Sequence, residues 1–189
     1  MSHFPPEPLS HSESSCSHLS REQQAIRKEI LKTGAFPKGF DDWEMRYDEQ
    51  TIAQEFLLQH RRPLPAHFDA WHLANKHNQT VAHTAAFIAK DTDFAVMSFF
   101  DKREPWILRD WNNDTVMHVC VKSGLPISEV CTFEDWQQPN WRKKSVHELA
   151  VEYDRKDLIA QYEALRLDFE IERMERDTRT IANIARSWV

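Results

Sequence analysis

The chain has 189 residues, 41% of them hydrophobic, with seven Trp and eleven Phe, which is enough apolar material for one folded domain. Its 30 acidic and 24 basic side chains give a formal charge of -6, dispersed along the sequence, so neither a basic nucleic-acid tract nor a dense acidic block is present. Only three glycines occur, which excludes a phosphate-cradling loop, a dinucleotide fingerprint and a nucleophile elbow, since each needs several.

Residues 1–18 are rich in Ser, Pro and His, with Pro5, Pro6 and Pro8 close together, and are expected to be a disordered tail. Ser20 stands three residues before Gln23, a capping-box spacing, ahead of Ala25, Ile26, Ile30 and Leu31 at helical intervals. A helix over about 20–33 follows, closed by Gly34.

Beyond this helix the sequence repeats itself. Thr80-Val81-Ala82-His83 is echoed by Thr115-Val116-Met117-His118, by Thr51-Ile52-Ala53-Gln54 and by Lys144-Ser145-Val146-His147. The fourth positions are 29, 35 and 29 residues apart. A second mark keeps the same phase: Phe40-Asp41-Asp42-Trp43, Phe68-Asp69-Ala70-Trp71 and Phe133-Glu134-Asp135-Trp136 place each Trp 11 or 12 residues before a fourth position. Such a period marks stacked repeats. The domain therefore spans 19–167, with a partial cap at 20–42 and units at 43–70, 71–106, 107–135 and 136–167.

Within the units a Thr is expected to cap a helix, and Ala82, Ala85 and Ala86 allow close packing of neighbouring axes. A Leu-Pro or Phe-Pro pair is expected to open a second short helix, fuller around Phe94–Trp106, where the longest step places its extra residues. From Asp154 a long helix without Gly or Pro follows. Its apolar stripe shifts by about 200° between Phe169 and Ile171. Residues 168–189 thus form an arm whose Ile171, Met174, Thr178, Ile181, Ala185 and Trp188 either fold back or pair with another chain as a homodimer.

The Thr-x-x-His marks followed by small-residue pairs, best seen at Thr80–Ala86 and Thr115–Val121, resemble the ankyrin-repeat family, in degenerate, shortened repeats of bacterial type. The resemblance implies an all-α solenoid of helix-turn-helix layers. It also implies that Thr51, Thr80, His83, Thr115, His118 and His147 hold turns and inter-repeat contacts by hydrogen bonds. The family presents its loops and concave face to a protein partner. The family's usual Pro is Val or Ile here.

Chemistry finds little support in the sequence. His118, Cys120 and Cys131 lack the spacing of a zinc site, and His147-Glu148 has Val151 where a metalloprotease would have its second His. Cys120 aligns with core positions and reads as a buried hydrophobe. No catalytic residue, metal or cofactor is expected. Trp43, Trp71 and Trp136 read as packing residues, whereas Trp111 and Trp141 lie in polar loops with Tyr47 and His77 at matching places. With Arg142, this column is the candidate binding surface. The function expected is binding to another protein, as adaptor or inhibitor, with no direct nucleic-acid or membrane contact. The alternative is an acidic inhibitor that mimics nucleic acid. Cys16, Cys120 and Cys131 form no disulfide framework, and no run approaches the roughly 18 apolar residues of a membrane span. A cytoplasmic location is expected, or a host cytoplasm if the tail holds a secretion address.

Overall fold

Ser20 caps the first helix with its hydroxyl while Gln23 reaches back to the Ser20 N–H, and Gly34 closes the helix in the left-handed conformation. This helix, α1 (Arg21–Thr33), opens a computed structural model that describes residues 19–92 and 94–187. The 1–18 tail and Trp188 lie outside the described residues.

A two-residue antiparallel pair, β1 (Arg46–Tyr47) with β2 (Gln50–Thr51), leads into α2 (Ile52–His60). After α3 (Val81–Ala89) come a 3-10 turn at Phe94–Val96 and α4 (Arg103–Trp106). Then follow α5 (Val116–Ser123), α6 (Phe133–Trp136), α7 (Val146–Glu152) and α8 (Lys156–Ser187). The described chain is mostly helical, and none of its helices is long and apolar enough to cross a membrane.

Helices α1, α2, α3, α5, α7 and α8 each pack on the next in that order. Ala82, Ala85 and Ala86 are fully buried, and with no side chain beyond Cβ they let α3 lie close between α2 and α5. Thr51, Thr80 and Thr115 cap α2, α3 and α5, the positions expected from sequence, and Ser145 caps α7.

In α2, α3 and α5 the side chain three residues into the helix links one unit to the next. Gln54 accepts from the Thr51 N–H through Oε1 (3.1 Å), and its Nε2 donates to the Gln79 carbonyl (2.7 Å). His118 accepts from the Thr115 N–H through Nδ1 (3.0 Å), so its proton sits on Nε2 and is donated to the Lys144 carbonyl (3.2 Å). His83 repeats this between Thr80 Oγ1 (2.7 Å) and the Asp114 carbonyl (3.0 Å). Even Gln23 follows it, donating to Asp42 (3.0 Å). In every case the acceptor end holds the helix's own cap and the donor end reaches forward.

The fourth unit corrects the sequence reading by one residue. Glu148, not His147, closes the capping box with Ser145. The true steps are therefore 29, 35 and 30 residues, from Gln54 to His83, His118 and Glu148. His147 lies one position round the helix and stacks on Tyr162 (3.8 Å between centroids).

Second helices are also shorter than expected. Where Phe36-Pro37 and Leu64-Pro65 stand, single turns close by Phe40 N–H to Pro37 O (3.1 Å) and Phe68 N–H to Pro65 O (2.9 Å). The fuller helix expected over Phe94–Trp106 is two separate pieces. Pro105 is the reason, because it is tolerated in the first turn of α4 but would lack its bond and clash if a helix ran through from Phe94.

Aromatic rings pack edge to face in a row from Trp43 to Trp106. Trp43 packs edge-on to Phe68 (4.8 Å), Phe68 to Trp71 (4.7 Å), Trp71 to Phe99 (4.6 Å) and Phe99 to Trp106 (5.7 Å). Fully buried Trp106 and Trp136 each contribute on the order of 4–6 kcal/mol of transfer free energy. Arg103 ties α4 to α6 through a bidentate pair with Asp135 (2.8 and 2.6 Å).

The last helix does not fold back: α8 is continuous over 32 residues. Its Leu158 and Tyr162 are buried, and Phe169 stacks on Phe133 (4.9 Å), so packing extends just past the expected boundary at 167. No glycine or proline interrupts it, and the shift in the stripe is a change of face on one rod.

Two results are expected. His118→Ala leaves the Lys144 carbonyl and Thr115 N–H without a partner and should cost about 1–3 kcal/mol in urea denaturation, whereas His118→Gln, copying Gln54, should cost much less. Burial holds His83 below the ordinary imidazole value and His118 down to about 4. The unfolded chain then binds protons first, so stability should be full above about pH 6.5 and fall as pH drops towards 4.

Candidate functional site

Three loops preceding the capped helices share one construction. Asn75, Asp110 and Asn140 each accept two backbone N–H groups through Oδ1, from the residues two and four positions on, at 2.8–3.2 Å. Asn78, Asn113 and Lys143 then adopt positive φ, which turns each chain back towards its cap. The loop tips are thus Lys76-His77, Trp111-Asn112 and Trp141-Arg142. With the register corrected, Lys76 matches Trp111 and Trp141, while His77 matches Asn112 and Arg142. The first loop is the tighter hairpin, with Asp48 and Glu49 both at positive φ.

All five residues of the expected column are exposed. Trp111 is 69% exposed, Trp141 58% and Tyr47 50%, so neither indole folds under its loop. Arg142 lies over the Trp141 ring (4.9 Å) and Arg27 over Tyr47 (3.7 Å), the latter while also pairing with Glu55. One face of Tyr47 is therefore already covered.

Neighbouring loops are locked together. The Trp141 N–H donates to Asn112 O (3.0 Å), Asn140 Nδ2 to Asp114 Oδ1 (2.9 Å), and Arg109 to Asn113 O, Pro139 O and Gln138. Lys122 completes the set by pairing with buried Asp114 (2.6 Å). The structure thereby brings Trp111 and Trp141 to the rim of one cleft of about 440 Å³, together with Lys122, Leu149, Glu152 and Tyr153. Tyr47 and His77 are not part of its lining.

Sequence reasoning missed the helix face beside the loops. The seventh residue after each cap forms a row of Leu58, Phe87, Lys122 and Glu152, in which Leu58 and Phe87 are exposed apolar side chains. These two border a smaller cleft of about 240 Å³ with Gln54 and Thr84. Only two of the four residues at this offset are apolar, and an isolated apolar residue on a capped helix reads as core, so the sequence carried no usable signal.

Among the described residues, no group of three or more His, Cys, Asp and Glu side chains is placed to hold a metal ion. Burial pushes the Cys120 thiol up and Cys131 up to about 12, so both stay protonated at neutral pH.

Asn140→Asp should test the lock between loops. The substitution keeps both Oδ1 contacts but sets a carboxylate against buried Asp114 in place of a donor. A loss of roughly 1–3 kcal/mol is expected at neutral pH, recovering in part as the carboxylates protonate, in denaturation measured across pH.

Comparison of the chain with models of known protein families, and with curated protein sequences, finds no match.

Proposed function

We propose that this chain is an ankyrin-like solenoid of short helical layers that binds another protein, as an adaptor or inhibitor, and carries out no chemistry of its own. The recurring cap, forward-reaching third side chain and hairpin-like loop support the ankyrin-like reading, with one-turn pieces standing in for second helices.

One observation carries the functional reading: Trp111 and Trp141 stand exposed on adjacent loop tips whose backbones are fixed by side-chain hydrogen bonds. Exposing two indoles in water is unfavourable for the free protein, and Trp and Arg are the side chains that most often dominate binding energy. Because the loops are already held, little backbone entropy is lost when a partner docks. Arg142 beside the indoles favours a partner that offers an apolar anchor with a carboxylate next to it, Lys144 being already paired with Glu152.

The test is a Trp111→Ala/Trp141→Ala double variant used beside the parent chain in affinity capture with quantitative mass spectrometry. Neither indole is packed, so the melting temperature should stay within a few degrees while captured partners are lost. An unchanged set of partners would place the binding surface elsewhere, and a collapsed melt would make these packing residues.

A further inference from the structure

Beyond its stacking contact at Phe169, α8 continues for 18 residues to Ser187, roughly 27 Å of helix at 1.5 Å per residue. The face that packs on α6 and α7 carries Leu158, Tyr162 and Phe169. On the opposite side runs a second stripe, Leu167, Ile171, Met174, Thr178 and Ile181, at steps of 4, 3, 4 and 3. Leu167, Ile171, Met174 and Ile181 are 48–69% exposed. The Thr178 hydroxyl is satisfied within the helix by the Met174 carbonyl (2.8 Å). The 4-3 spacing is that of the a and d positions of a coiled coil, and the apolar side chains of the stripe are exposed.

The flanks decide what can cover the seam. With Ile171 and Thr178 at a and Met174 and Ile181 at d, the flanks end in apolar Ala182 at e and Ile184 at g, but before them the g positions are Glu163, Glu170 and Asp177 and the e positions Asp168 and Glu175. The five acidic residues are all exposed. Two have a basic neighbour on the same helix, Glu163 with Arg166 (2.8 Å) and Glu175 with Arg179 (3.0 Å), both solvent-exposed pairs. In a parallel pair of identical helices, Glu163 would face the second copy's Asp168, and Glu170 its Glu175. In an antiparallel pair the e positions meet each other and the g positions do likewise, again acid against acid. Self-pairing is opposed in either orientation, which argues against the homodimer expected from the apolar stripe alone.

We propose that the C-terminal half of α8 docks a helix of a different protein, with Leu or Ile on its apolar seam and Lys or Arg on both flanks. The acidic rows then become the recognition element and select for the basic partner. This surface is separate from the loop tips, and its failure would leave the reading of Trp111 and Trp141 untouched.

The test uses the full chain and two synthetic helices of about three heptads, identical at a and d, one carrying Lys at e and g and the other Glu. Sedimentation should show the chain alone to be monomeric. In anisotropy titrations the Lys-flanked helix should bind at least about tenfold more tightly than the Glu-flanked one. A D168K/E170K/E175K/D177K variant should reverse that preference. Met174→Asp makes the chain more acidic, so it should abolish binding if the seam is used but strengthen it if the attraction is merely electrostatic. All five positions are exposed, and circular dichroism should show the fold unchanged. A stable dimer of the chain alone, equal or absent binding of the two helices, a preference that survives charge reversal, or binding retained in Met174→Asp would each overturn the proposal.

Discussion

The described fold depends on one hydrogen-bonding device, the side chain three residues into a capped helix. It has an acceptor end for its own helix cap and a donor end for a carbonyl in the next unit. Gln and neutral His both provide this pair of functions, and they occupy the position at residues 54, 83 and 118. The carbonyls of Asp114 and Lys144 lie just before the caps of α5 and α7. A missing donor would leave a polar group buried, and it would also loosen the entry into the following helix. Local capping and the joining of units are thus one interaction. The short helices, of seven to nine residues in α2, α3, α5 and α7, would not be stable alone.

The same device sets where the row stops and what the loops present. Glu148 has the acceptor end but no donor, so it can close its own cap and cannot reach forward to another carbonyl. Next comes α8, which packs on α6 and α7 through Leu158, Tyr162 and Phe169. Upstream, each loop is held at one end by the reaching side chain and internally by Asn75, Asp110 or Asn140. Side chains at the tips are left with no packing duty. The proposed docking role of Trp111 and Trp141 rests on that division between a bonded loop backbone and an uncommitted tip.

Much of this was legible in the sequence because capping is local chemistry. Thr51, Thr80 and Thr115 could be placed as caps from the residues that follow them, and Trp43, Trp71 and Trp136 as packing residues from their phase. The last unit misled because His147 imitated the preceding histidines. Ser145-Val146-His147-Glu148 already contained a capping box, and giving chemical function priority over residue identity would have found it. The missing second helices were not legible from Pro alone, since Pro opens a helix and a single turn equally well. The continuity of α8 was half legible. The 200° shift correctly separated two faces, yet a straight rod can carry both. Exposure of Leu58 and Phe87 depends on which neighbours reach them, and no local pattern encodes that.

The most direct measurement is long-range nitrogen–proton NMR of the histidine rings in the intact chain, followed from pH 8 to pH 4.5. The forward-reaching arrangement predicts that His83 and His118 carry their proton on Nε2 and stay neutral well below the ordinary imidazole value. Their Nε2–H groups should also show slow exchange, as expected for donors buried against the Asp114 and Lys144 carbonyls. A proton on Nδ1, or titration of both rings near pH 6.5, would contradict the account, because the link between units would then have no donor.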